Sequence, residues 1–337
     1  MNATKPLHLL LGLLLLSCAL SLLGVAVGST GFSLEMLQQG GDAMQQQISQ
    51  QILWQIRFPR SAGAWAAGAL LGLAGAVAQG LFRNPLADPY LLGASAGAGL
   101  GVAVLLVLLG LSPATAAWSM KLGLTGAAFL GAVAAVLLTL TLARGVQQTM
   151  RLLLAGVIVG VVLGSATALL TIMTPDIMRP MQAFMLGTTG FLSWASVWIL
   201  LPVLLGCLLV ALGASRALDA LTLGEATARS LGVRLPLVRL SLIATLALAT
   251  GAAVAQAGLI AFVGLVAPHL VRSRTHSTHG WLLLLSALTG GALLLAADIA
   301  ARWLIAPQEL PVGVVTSMLG GAYLLLLMHR GKVGELK

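Results

Sequence analysis

Apolar runs of about twenty residues, broken by short polar stretches, repeat along this chain from end to end. A helix needs roughly 20 apolar residues to cross a hydrocarbon core of about 30 Å. On that measure residues 7–27, 59–81, 90–111, 122–143, 152–173, 194–213, 236–256, 281–305 and 311–329 are predicted spans. Residues 258–270 are apolar but short, about 20 Å as a helix. They are expected as a tenth, partial span shielded by its neighbours, because short or irregular segments persist at membrane depth only inside protein. The expected fold class is all-α polytopic membrane protein, with about ten transmembrane helices in one bundle and a single domain over 1–337. The long connections are 30–56, rich in Gln, 174–193, and 214–235.

Composition agrees with this pattern. The chain is 59% hydrophobic and 8% charged, against about 25% charged for a soluble domain. The first run, near Lys5, is longer than the apolar core of a signal peptide, about 7–15 residues, so an uncleaved first helix is expected. Cys18 and Cys207 both lie in apolar runs and are expected as small core residues. A net charge of +9 is read as loop bias, not nucleic-acid binding. With ten spans and an inner N-terminus, 13 Lys and Arg fall inside and 5 outside, which favours cytoplasmic termini.

Small residues recur every four positions at Gly93, Gly97 and Gly101 and again at Gly156, Gly160 and Gly164, with Gly68, Gly72 and Gly75 close to that spacing. Such faces let helix backbones approach closely in lipid. Motifs of chemistry are missing. The Gly331-Lys332 pair lacks the rest of a phosphate cradle, and there is no H-E-x-x-H, no clustered His and Cys set and no G-x-S-x-G elbow. The chain is therefore expected to perform no catalysis and to bind no metal. One intramembrane pair, Asp298 with Arg302 four residues on, admits two readings: an ion-coupling site of a secondary transporter, or a structural pair.

Three polar stretches interrupt the apolar pattern. In "RNPLADP", Pro85 and Pro89 force breaks at Asn84 and Asp88. Asn and Asp cap helices well, so a rigid capped turn is predicted there. In the 214–235 loop, Thr222–Glu225 fits a capping box, and "EATARSLGV" is predicted as a short helix ending at Gly232. At "RFPR", Arg57 and Arg60 stand on the expected outer side with Arg302 near them. These are read as exposed arginines suited to carboxylates of a partner or to anionic headgroups.

Four longer blocks are similar to the FecCD-type permeases, the membrane subunits of ABC importers for iron-siderophores, haem and cobalamin. They are residues 57–101, "LGEATARSLGV" at 223–233, "GLIAFVGLVAPHLVR" at 258–272, and 297–327. The resemblance implies the architecture of an ABC type II importer permease and a homodimer with the substrate path between its copies. It further implies two ATPase subunits below, which bind ATP and Mg, and a periplasmic substrate-binding protein above. Thr222, Leu223, Gly224, Glu225, Ala228, Leu231 and Gly232 would be the ATPase-coupling element. Arg57, Arg60 and Arg302 would receive the binding protein. Asn84, Pro85, Asp88 and Pro89 become a signature turn near the inner gate. By family frequency an iron-siderophore is the first cargo expected, with haem and cobalamin next. The chain departs from the family after "PHLVR", where it reads "SRTHSTHG", and near its end, where "GGAYLLLL" carries no proline.

Overall fold

The computed structural model describes residues 4–28, 31–32, 43–109, 118–143 and 149–329. Its helices are α1 (Thr4–Ala26), α2 (Ala43–Ile52), α3 (Phe58–Phe82), α4 (Ala94–Leu109), α5 (Trp118–Leu142), α6 (Thr149–Met173) and α7 (Met178–Leu186). There follow α8 (Trp194–Gly213), α9 (Ser215–Thr222), α10 (Glu225–Ser230), α11 (Leu235–Ala257), α12 (Val263–Arg274), α13 (His279–Trp303) and α14 (Val312–His329). Among the described residues, seven helices are long and apolar enough to cross a membrane, and α4 and α14 are shorter apolar helices. The protein is an all-α polytopic membrane protein.

The bundle is built around α3. Its apolar window is 94% buried, whereas that of α1 is 17% buried. A helix apolar on every side belongs in the interior, and α3 has α8, α11, α12 and α13 around it. Its glycines explain how closely they approach. A Cβ on Gly68 would overlap the Gly290 carbonyl of α13, one on Gly72 the Ser286 carbonyl, and one on Gly75 the Gly264 carbonyl of α12. The α4–α5 contact uses the same device, with Gly97 against the Gly131 carbonyl and Gly101 against the Ala127 carbonyl. In α6 only Gly156 packs this way, against Leu91, while a Cβ on Gly160 or Gly164 would meet nothing.

Several sequence expectations change. The third span was expected from residue 90, but Pro89–Leu92 is a 3-10 turn, Gly93 breaks it at φ +79°, and α4 starts at Ala94. Gly93 therefore stands outside the helix face of Gly97 and Gly101. The connection at 30–56 was expected as loop; α2 runs through a π-helical turn, Leu53–Arg57, directly into α3. Within it, residues 31–32 pair with 27–28, and residues 30 and 33–42 lie outside the described residues. So do Arg144, Arg330, Lys332 and Lys337, four of the residues counted for the inner side. The short segment expected as helix over 258–270 is non-helical to Phe262, whose backbone is left-handed (φ 69°). The helix α12 follows and is mostly buried. Of the two cysteines only Cys207 is a core residue; Cys18 is exposed on α1.

Candidate functional site

Polar side chains gather at the two ends of this apolar bundle. At one end α3 stops with Arg83 in the left-handed conformation (φ 49°). The Asn84 N–H returns to the Gln79 carbonyl at 3.1 Å and the Arg83 N–H to Gly80 at 3.3 Å, the paired bonds that close a helix C-terminus. The Asn84 side chain accepts from the Leu86 N–H at 2.9 Å. Asp88 then caps the 3-10 turn, accepting from the Tyr90 N–H at 2.8 Å, with Pro89 at its first position. The capped turn predicted from Asn84 and Asp88 is present. Burial pushes the Asp88 carboxyl up from the usual carboxylate range, opposed by that N–H. Tyr90 ties the turn to the third block through its hydroxyl, which donates to the Ile260 carbonyl at 3.1 Å.

The 214–235 loop folds as α9 and α10, two short helices joined at Leu223-Gly224. The capping box is not formed. Thr222 Oγ1 donates to the Asp219 carbonyl at 2.6 Å, and the residue before α10 is Gly224 at φ +105°, ψ 156°. Thr222 cannot cap across that bend, and only glycine reaches it without strain. The predicted stop at Gly232 is found: Gly232 (φ +81°) bonds the Arg229 carbonyl and Val233 the Ala228 carbonyl. Gly224→Ala is expected to destabilise this loop by about 1–2 kcal/mol, read as faster amide exchange over 225–232 with the spans unchanged.

Released from capping, the Glu225 carboxylate joins the loop to two spans. It lies 2.5 Å from Arg239 at the start of α11 and 3.8 Å from both Arg83 and Arg229. Asp219 makes a second tie, accepting from the His279 backbone N–H at 2.9 Å and meeting its ring Nδ1 at 2.7 Å. The structure thus brings the "RNPLADP" turn and the 222–232 segment together, through Arg83 and Glu225. Ala228 is fully buried, while Leu223 and Leu231 are 66% and 64% exposed.

The other end is held by arginines. Arg57, Arg60 and Arg302 were expected to be exposed, and all three are buried. Arg302 forms the pair with Asp298 at 2.7 Å and donates to the Gly24 and Val27 carbonyls at 2.8 and 3.0 Å. Arg57 donates to the Val25 and Ala26 carbonyls at 2.9 and 3.2 Å. A helix leaves its last four carbonyls without partners, and these two guanidinium groups serve them at the end of α1. Arg60 spans Asp298 at 3.0 Å and Glu309 at 2.9 Å. Asp298, fully buried, also accepts from Thr189 at 2.5 Å. Its lone pairs are filled by its own chain.

Sequence reasoning missed Gln79, Thr189, Asp219 and Glu309. With nine acids in the whole chain, each carboxylate was itself a signal that a cation or N–H must wait for it in the fold.

A model of the FecCD transport family matches residues 13–330. The chain belongs to the FecCD transport family. It is 40% identical to the hemin transport system permease protein HmuU of Yersinia pestis over 337 residues, covering 98% of each chain. It is 41% identical to the vitamin B12 import system permease protein BtuC of Escherichia coli over 285 residues, 83% of this chain and 84% of that one. Among solved structures, a chain of an ABC transporter described as metal-chelate type, in an inward-facing conformation, superposes with a TM-score of 0.83 at 27% identity. That match covers 96% of this chain and 99% of the other. This FecCD permease is the membrane subunit of an ABC importer, a transport subunit and not an enzyme. Among the described residues no group of His, Cys, Asp and Glu is arranged to hold a metal.

Proposed function

We propose that this FecCD permease moves a metal chelate of the haem, cobalamin or iron-siderophore class from periplasm to cytoplasm across the inner membrane. It would do so as one half of a homodimer of ten-helix subunits, with both termini cytoplasmic. Haem stands first in this reading, because the hemin permease aligns over nearly the whole chain and the vitamin B12 permeases over less of it. Two ATPase subunits bind ATP and Mg on the inner face, and a periplasmic binding protein docks on the outer face.

The observation that carries the coupling role is the pair of exposed leucines, Leu223 and Leu231, flanking the short helix α10, which Glu225 pins to the spans while Asp219 pins α9 before it. An apolar tip on a rigid polar mount suits a cleft in a partner. In this reading Thr222–Gly232 enters the ATPase, and nucleotide-driven motion there passes through Glu225 to Arg83 and Arg239. Partners that bind two states with different affinity drive the change between them. The outer docking face is proposed around Arg57, Arg60 and Arg302. They brace it from within, and the exposed stretch 303–309, held through Glu309, would meet the binding protein. An ion-coupled mechanism through Asp298 is disfavoured by that residue's two arginine partners.

Cysteine cross-linking tests the coupling role. Leu223→Cys and Leu231→Cys are expected to cross-link to cysteines in the ATPase cleft, with a yield that changes when ATP is added. No cross-link from either position would remove 222–232 as the coupling element.

A further inference from the structure

Beside the coupling loop lies a cavity of about 640 Å³ lined largely by charged and polar residues, whose space no role above fills. Its walls come from the end of α3 and the turn after it, from α9, and from the α12–α13 connection. Two arginines line it, Arg83 and Arg272, with His276 and His279. Asp219 is the acid on its wall, and that carboxylate is taken by the ring and backbone N–H of His279. Arg83 has its carboxylate no nearer than 3.8 Å.

Arg272 is the informative residue. It is half-buried, and among the described residues no carboxylate lies within ion-pair distance of it. Its hydrogen-bond partner is neutral, the side-chain oxygen of Gln79. Gln79 is itself buried and fixed through its amide nitrogen to the Leu265 carbonyl at 3.3 Å. A guanidinium held by a locked neutral amide is oriented without being neutralised. Sheltered charges are ordinarily paired, so among the described residues this guanidinium is left open to an anion.

We infer that this cavity receives an acidic side chain of the ATPase subunit, a second contact beside the short helix α10. The inference rests on the coupling role proposed for 222–232. One observation favours a carboxylate from a protein over a lipid headgroup. The cavity shares Thr222 with the coupling segment and takes Asp219 from α9 directly before it, so it continues the same face.

The test measures binding of the ATPase subunit to the full chain in neutral phosphatidylcholine nanodiscs, over a range of salt. Arg272→Gln is expected to weaken binding about tenfold, the scale of one charge-assisted hydrogen bond, and to flatten the salt dependence. Arg272→Lys should keep most of the affinity. His276→Glu changes only the exposed rim of the cavity and should weaken binding in the same direction, which covers a folding defect in Arg272→Gln. Wild-type affinity and salt slope in both Arg272→Gln and His276→Glu would overturn the inference. So would an Arg272 effect seen only when anionic phospholipid or inorganic phosphate is added, which would assign the cavity to a phosphate group. Leu223→Cys cross-linking separates the two claims. If it persists while the Arg272 and His276 variants bind normally, the coupling role stands and the cavity contact falls; if it is absent, the coupling role itself has failed.

Discussion

Asp298→Ala is expected to cost about 3–5 kcal/mol, enough to prevent recovery of folded protein, because removing one partner of a buried ion pair leaves an uncompensated charge. Here two charges are stranded. Arg60 and Arg302 both use Asp298, at 3.0 and 2.7 Å, and Arg302 is 2% exposed. The damage spreads from there. Arg302 also closes the end of α1 through Gly24 and Val27, and Thr189 brings in the stretch between α7 and α8. Glu309→Gln is the control. Its side chain is one-third exposed and it shares Arg60 with Asp298, so its loss should cost less than about 1 kcal/mol. Thermal unfolding of the detergent-solubilised protein compares the two. Equal effects would mean that the network is not organised around Asp298.

The second large effect is expected at Gly75. A methyl group there would overlap the backbone carbonyl of Gly264. A backbone oxygen cannot rotate away as a side chain can, so α3 and α12 would have to move apart. Overpacking a core costs about 1–3 kcal/mol when side chains can adjust, and Gly75→Ala is expected at or above the top of that range. Gly72→Ala, against Ser286, should behave alike. Gly206→Ala on α8, where a Cβ meets nothing within 4 Å, should be neutral or stabilising, since Ala exceeds Gly in helix propensity by up to about 1 kcal/mol. Yield and melting temperature of the three variants give the comparison, and a Gly75→Ala protein as stable as Gly206→Ala would refute the packing account.

What the sequence made legible was local. The apolar runs place the long helices because the membrane length rule acts on contiguous residues. The Asp88 cap and the Gly232 stop follow from neighbours a few positions away. The Thr222–Glu225 box has the right spacing and still does not form, because a positive φ at Gly224 turns the chain between cap and helix. Spacing alone carries no dihedral. The arginines were misread for a different cause. Arg60 meets carboxylates 238 and 249 residues away, and no local pattern announces such partners. An arginine at the end of an apolar run looks like a surface charge until the fold supplies Asp298 and Glu309. Glycine faces were legible as contacts but not as partners: Gly68, Gly72 and Gly75 meet neighbours, whereas Gly160 and Gly164 face away from this chain.

Reconstituted uptake tests the central claim most directly. The chain, its ATPase and its binding protein are placed in proteoliposomes, and entry of labelled haem, cobalamin and ferric siderophore is followed with and without ATP. Uptake of one chelate that needs ATP, the ATPase and the binding protein together is the predicted result, with haem the first candidate. Uptake that proceeds without ATP and follows an imposed ion gradient would contradict the account.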